Sequence, residues 1–154
     1  MKKSQQLKIH ISVRAQRLTL RSGRKKVAAY PVSTSRFGLG SKEGSFKTPT
    51  GKFRIAEKIG EEMPSGTVFK SRRPVKPTRK MLRDDDLVMT RILWLDGLES
   101  RNANTHARYV YIHGTNHEDE IGAPQSHGCI RMRNADVIEL FEQVEEGTPV
   151  EIKP

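Results

Sequence analysis

The chain has 154 residues, a single cysteine and a formal net charge of +10. Such a length suits one domain, residues 1–154 with the folded part spanning about 7–153, that buries about two thirds of its unfolded surface, and a lone thiol excludes an internal disulfide. Lys2 and Lys3 are followed by Ser4-Gln5-Gln6-Leu7-Lys8 where a secretory or membrane segment needs an apolar core; no membrane span is expected and the molecule is expected to be cytoplasmic, or to belong to the periplasm or cell envelope if a leader has been removed.

In chain order, Leu7 to Val13 alternates apolar and polar residues and predicts a half-buried strand, with Arg17 to Leu20 as its hairpin partner and Lys26 to Ser33 as a third strand. The basic clusters Arg21 to Lys26 and Lys70 to Lys80 raise nucleic acid as a partner. No helix-turn-helix pattern, zinc-finger spacing or aromatic interleaving accompanies them, so no nucleic acid is expected. Gly38, Gly40, Ser41 and Lys42 lack the spacing of a phosphate loop.

Lys52 to Ala56 predicts the next strand. Residues 60–86 then read as an irregular segment: Pro64, Pro74 and Pro77 interrupt it, and it ends in Asp84-Asp85-Asp86. A loop of that length is expected to be either a lid or a mobile surface loop. Leu87 to Leu95 and Tyr109 to His113 are predicted strands, the second delivering His113 to its tip, and Thr115 to Gln125 is predicted as a loop. Asn134 reads as an N-cap, and Val137, Leu140, Phe141 and Val144 at i, i+3, i+4, i+7 predict a helix over about Ala135 to Glu146. Val150 to Ile152 closes a fold expected to be mainly β with one or two helices.

The chemistry concentrates in Ser126-His127-Gly128-Cys129-Ile130-Arg131-Met132-Arg133-Asn134. Isolated cysteines are ordinarily small buried hydrophobes, but this one follows a histidine and a glycine and precedes a helix. The histidine and the helix start lower a thiol pKa, so an ionised nucleophile is expected at Cys129. His113 is the candidate base, brought to the thiol by the fold. The amides of Gly128 and Cys129 are candidate oxyanion donors. His113, His117, His127 and Cys129 could supply zinc ligands, but His113 and His117 follow a strand and a glycine instead of sharing a helix face; no metal and no cofactor are expected, and His106 and His117 read as surface residues.

The elements Ile112-His113-Gly114-Thr115 and Ser126-His127-Gly128-Cys129-Ile130-Arg131-Met132 resemble the active-site signature of the L,D-transpeptidase catalytic domain, the YkuD-type fold. Pro31-Val32-Ser33-Thr34-Ser35 and Thr48-Pro49-Thr50-Gly51-Lys52-Phe53-Arg54-Ile55 resemble the strand and turn of that domain's N-terminal half. The resemblance implies a β-sandwich in which Cys129 accepts the acyl group, His113 acts as base, the backbone at Gly114 orients the base, and His127, Gly128 and Cys129 line the oxyanion hole. Arg131, a position where many members carry arginine and others asparagine, is expected to hold substrate together with Ser126 and Tyr111. It further implies acyl transfer on peptidoglycan stem peptides through a thioester at the L,D bond before terminal D-alanine. The alternative is hydrolysis, an L,D-carboxypeptidase trimming muropeptide tetrapeptides to tripeptides. Both substrates are anionic, which suits the net charge.

Overall fold

The computed structural model describes residues 6–154. It contains ten strands, β1 (Leu7–Ser12), β2 (Arg17–Ser22), β3 (Lys25–Pro31), β4 (Gly51–Ile59), β5 (Val68–Lys70), β6 (Arg73–Val75), β7 (Val88–Gly97), β8 (Tyr111–Gly114), β9 (Ile130–Met132) and β10 (Pro149–Lys153), with helices α1 (Arg79–Asp84) and α2 (Asn134–Gln143). The strands form one hydrogen-bonded sheet in the order β3-β2-β1-β10-β4-β7-β5-β6, with β8 on β7 and β9 on β8. The mainly β expectation with two helices is met. Among the described residues no helix is long and apolar enough to cross a membrane.

The alternation seen in the sequence sets the first layer. Ile9 lies opposite Leu20 and Ile11 opposite Leu18, all four buried. The same face of β1 meets Val150 and Ile152 of β10 in parallel register. These side chains join Phe53, Ile55, Leu93, Leu95, Ile112, Ile130 and Met132 in one core that α2 covers with Val137, Leu140 and Phe141. The sheet therefore curls around that core.

Period-2 geometry decides which residues face away. Leu93, Leu95, Ile112, Ile130 and Met132 point into the main core, so their strand neighbours Ile92, Trp94 and Tyr111 point to the opposite face, where they pack with Phe69 and Cys129. β7 is buried almost throughout because it is covered from both sides.

Three local expectations change. Asn134 is the first residue of α2 and not its cap; its amide donates to Glu118 at 2.7 Å, while its side chain accepts from Thr90 at 2.6 Å and donates to the Thr115 carbonyl at 2.9 Å. The helix ends at Gln143, because Val144 turns extended and stays buried. Residues 60–86 are more ordered than their prolines suggest. Pro74 sits in β6, at the sheet edge where a missing N–H is tolerated. Thr78, just after Pro77, caps α1 by accepting the Met81 amide at 3.1 Å.

Candidate active site

Parallel pairing of β8 with β9 sets Ile112 beside Ile130 and His113 beside Arg131. Cys129 immediately precedes β9, level with Tyr111, whose amide donates to Sγ at 3.4 Å. Residues two apart share a face, so Tyr111, His113, Cys129 and Arg131 form a patch on the side of the sheet away from α2. His113 and Cys129 are its diagonal neighbours, on strands about 4.8 Å apart. The structure thus brings the predicted base and nucleophile to one surface from positions sixteen apart in sequence.

His113 is buried and its Nδ1–H donates to the Gly114 carbonyl. That bond fixes the tautomer, leaving Nε2 as the ring's acceptor. Burial lowers the imidazole pKa, against the raising influence of the Gly114 carbonyl and of Asp86. The thiol donates to the Tyr109 carbonyl at 3.4 Å, and Tyr109 reaches that position with a left-handed backbone, φ 56°. Burial pushes the Cys129 thiol up to about 11, with the Tyr111 amide, Arg131 and Arg108 pulling the other way. Burial thus acts against ionisation of both groups, the opposite direction to the histidine and helix influences read from the sequence. The helix also contributes little, since α2 begins only beyond β9.

Asp86 is a site residue that the sequence hid within an acidic run. It accepts from Arg131 at 2.8 Å and from His127 Nδ1 at 3.2 Å. Burial alone would raise its carboxyl, but the bond and charge of Arg131, with the histidines, hold it below the usual carboxylate range. Arg131 also bonds Glu120 at 2.7 Å. The expected substrate-holding guanidinium is thus buried and paired on both sides.

The other predicted residues divide by role. The His127 ring is half-exposed between Phe37 and Phe46, with Nε2 2.8 Å from Arg36 Nη2, and makes no hydrogen bond to the thiol. Ser126 is buried; its hydroxyl donates to the Cys129 carbonyl at 2.6 Å and accepts the Gly128 amide at 3.2 Å. These bonds brace the loop before β9. The Gly128 amide is consequently occupied, while the Cys129 amide has no acceptor among the described residues. Gly128 has φ 118°, and a Cβ there would stand 3.3 Å from the Lys47 carbonyl. Tyr111 is buried beside the thiol and its hydroxyl accepts from Arg72 at 3.2 Å.

Cys129 opens into a cleft of about 320 Å³ lined by Glu43, Phe46, Arg108, Tyr109, His127 and Gly128, a size suited to a small ligand or peptide end. Phe46 and Tyr109 stand more than half exposed on its rim.

The chain is thus a mainly β domain with a cysteine at a cleft and a buried histidine on the same face of a parallel strand pair. The chain belongs to the L,D-transpeptidase catalytic domain family, YkuD, whose profile it matches over residues 6–152. It is 30% identical over 144 residues to a relative carrying the L,D-transpeptidase name YkuD from Bacillus subtilis (strain 168), covering 94% of this chain and 64% of that one. It is 32% identical over 135 residues to YcfS of Escherichia coli (strain K12), also named as an L,D-transpeptidase, covering 84% and 38%. The chain thus spans less than two thirds of these relatives. Among solved structures, an L,D-transpeptidase from Mycobacterium smegmatis superposes with TM-score 0.61 at 19% identity, covering 97% of this chain and 59% of that chain. One from Xylanimonas cellulosilytica gives 0.63 at 18% identity, covering 99% and 63%. At these identities the likeness is one of fold.

Proposed function

We propose that this domain transfers acyl groups of peptidoglycan stem peptides through Cys129, attacking the carbonyl of the third residue, a diamino acid, at its bond to terminal D-alanine. The observation that carries the reading is the placement of His113 and Cys129 on one face of β8 and β9, with His113 Nε2 left as acceptor by the Gly114 carbonyl.

With burial raising the thiol and lowering the imidazole, attack and proton transfer are coupled in this reading. Sγ bonds to the carbonyl carbon as its proton moves to His113 Nε2, and the oxyanion is met by the Cys129 amide. When the carbon–nitrogen bond breaks, His113 returns the proton to the departing amine of D-alanine. A thioester remains on Cys129. The side-chain amine of a second stem resolves it to a 3-3 cross-link, and water resolves it to a tripeptide, the carboxypeptidase outcome; the same residues serve both.

Mass spectrometry of a disaccharide-tetrapeptide ending in D-alanine, incubated with wild type and Cys129→Ala, tests the proposal. Cysteine-dependent 3-3 dimers are expected at high substrate concentration. Tripeptide alone at every concentration would assign hydrolysis, and an unchanged substrate would exclude this donor.

A further inference from the structure

The β5–β6 hairpin carries Arg72 at its tip, where Ser71 and Arg72 both take left-handed backbone, φ 49° and 64°. The Arg72 guanidinium lies 4.8 Å from the Trp94 ring centroid and 5.1 Å from that of Tyr109, and its Nη1 donates to the Tyr111 hydroxyl at 3.2 Å. Tyr109 and Tyr111 are also the two residues whose backbone grips the thiol. The cation is therefore anchored on the immediate neighbours of Cys129. Its support is rigid, since His106 stacks on Trp94 at 3.9 Å and the indole N–H donates to the His106 carbonyl.

The arginines around the site differ in what remains open. Arg131 is closed by Asp86 and Glu120. Arg108 donates to the carbonyls of Gly40 and Lys47. Arg36 contacts the His127 ring. Arg72 keeps Nε and Nη2 without an acceptor, and no carboxylate lies within ion-pair distance of it among the described residues. A planar guanidinium backed by aromatic faces, with an unused fork of donors, suits a carboxylate bound bidentately. Having been fixed beforehand, it loses little side-chain freedom on binding.

We propose that Arg72, held on Tyr109 and Tyr111 at the flank of the Cys129 cleft, is a carboxylate-binding residue, which selects ligands carrying a carboxylate close to the atom the thiol attacks. Resting on the function proposed above, that carboxylate is the one on the terminal D-alanine, a single residue from the scissile carbonyl. Carboxylate recognition itself does not depend on the stem-peptide reading.

The test uses two alkylating reagents of nearly equal size and opposite suitability, iodoacetate and iodoacetamide, on the intact protein. As Cys129 is the sole cysteine, the mass gain reports that thiol alone, and the ratio of the two rates cancels changes in thiol ionisation. Arg72→Gln is expected to lower the iodoacetate to iodoacetamide ratio about tenfold, the worth of one charge-assisted hydrogen bond, with the iodoacetamide rate within about twofold of wild type. Arg73→Gln, which removes the same charge from the next residue, is expected to leave the ratio unchanged. An unchanged ratio in Arg72→Gln, or an equal fall in Arg73→Gln, overturns the proposal. If Gln disturbs the hairpin and the iodoacetamide rate shifts, Arg72→Lys decides: it keeps the charge and the stem, and full retention of the preference would overturn the role of the fork. A lowered ratio in a protein that leaves the tetrapeptide untouched would reject the substrate and keep the site; an unaltered ratio in an active protein would reject the site alone.

Discussion

Asp86 accepts a 2.8 Å hydrogen bond from Arg131, whose side chain is only 3% exposed. The pair ties the end of the 60–86 segment to the strand that follows Cys129, and the same Asp86 oxygen reaches His127. One carboxylate thus fixes three parts of the site: the strand β9, the loop before it, and the approach to β7.

Removing that carboxylate should loosen all three. Asp86→Asn keeps the shape but weakens two bonds, one to a buried cation, and is expected to lower stability by about 1.5–3 kcal/mol; Arg131→Ala, which strands Asp86 and Glu120 together, is expected to cost about 3–5 kcal/mol. Urea unfolding measures both. The pH dependence follows from the lowered Asp86 pKa: its stabilisation is present above the ordinary carboxylate value and is lost as pH falls through the folded value. The acid limb of stability should therefore be shallower in Asp86→Asn, and an identical acid limb would count against the pairing.

His113 and Cys129 give a second pair of expectations. A buried imidazole with lowered pKa binds fewer protons than the unfolded chain below 6.5, so it subtracts stability as pH falls beneath that value and has no effect above it. By the same shift, the acid limb of kcat/KM should lie below 6.5. His113→Ala is expected to reduce turnover by about 10² to 10⁴. Steady-state kinetics across pH checks this, and an acid limb at or above 6.5 would contradict a neutral, buried base.

The thiol itself is read by its reactivity towards iodoacetamide in the absence of substrate. With the group raised to about 11, the alkylation rate should keep climbing through pH 9. A plateau near neutrality would mean a preformed thiolate–imidazolium pair, which the sequence, with its histidine and helix beside Cys129, had suggested.

The contrast shows where sequence information ends. Alternation in Leu7 to Ser12 and the i, i+3, i+4, i+7 series from Val137 were sufficient for β1 and α2, because burial on one face writes a period into the chain. His113 and Cys129 were legible because they stand in dense local motifs. Asp86, Tyr109 and Arg72 were not: each acts on the site through a strand register or a hairpin turn, and neither leaves a spacing in the sequence. Burial, which raises the Cys129 thiol, is likewise a property of the assembled sheet and leaves no mark in the motif.

Glycine at position 114 is a requirement of space. A Cβ there would stand 2.2 Å from Asn134 Oδ1 and 2.7 Å from the Met89 carbonyl. Those atoms belong to α2 and β7, so Gly114→Ala is expected to cost about 1–3 kcal/mol by overpacking and to turn the carbonyl that holds His113 Nδ1. Activity should fall by more than the loss of folded protein accounts for. Comparing the folded fraction by circular dichroism with the rate per folded molecule checks this, and a rate that merely tracks the folded fraction would remove Gly114 from the orientation of the base.

Cys129→Ala separates the thiol's chemistry from its packing. The side chain is half-buried against Tyr111 and Trp94, so the fold should persist while all acyl transfer disappears. Stability should then show a specific pH signature. In the wild type the folded thiol holds its proton up to about 11, whereas the unfolded thiol releases it near 9; the raised pKa contributes stability that is complete below 9 and lost as pH rises towards 11. The wild type should therefore lose stability relative to Cys129→Ala across that window, measured by urea unfolding at a series of alkaline pH values. Parallel curves for the two proteins would show that the thiol is as easily ionised in the folded state as in the unfolded one.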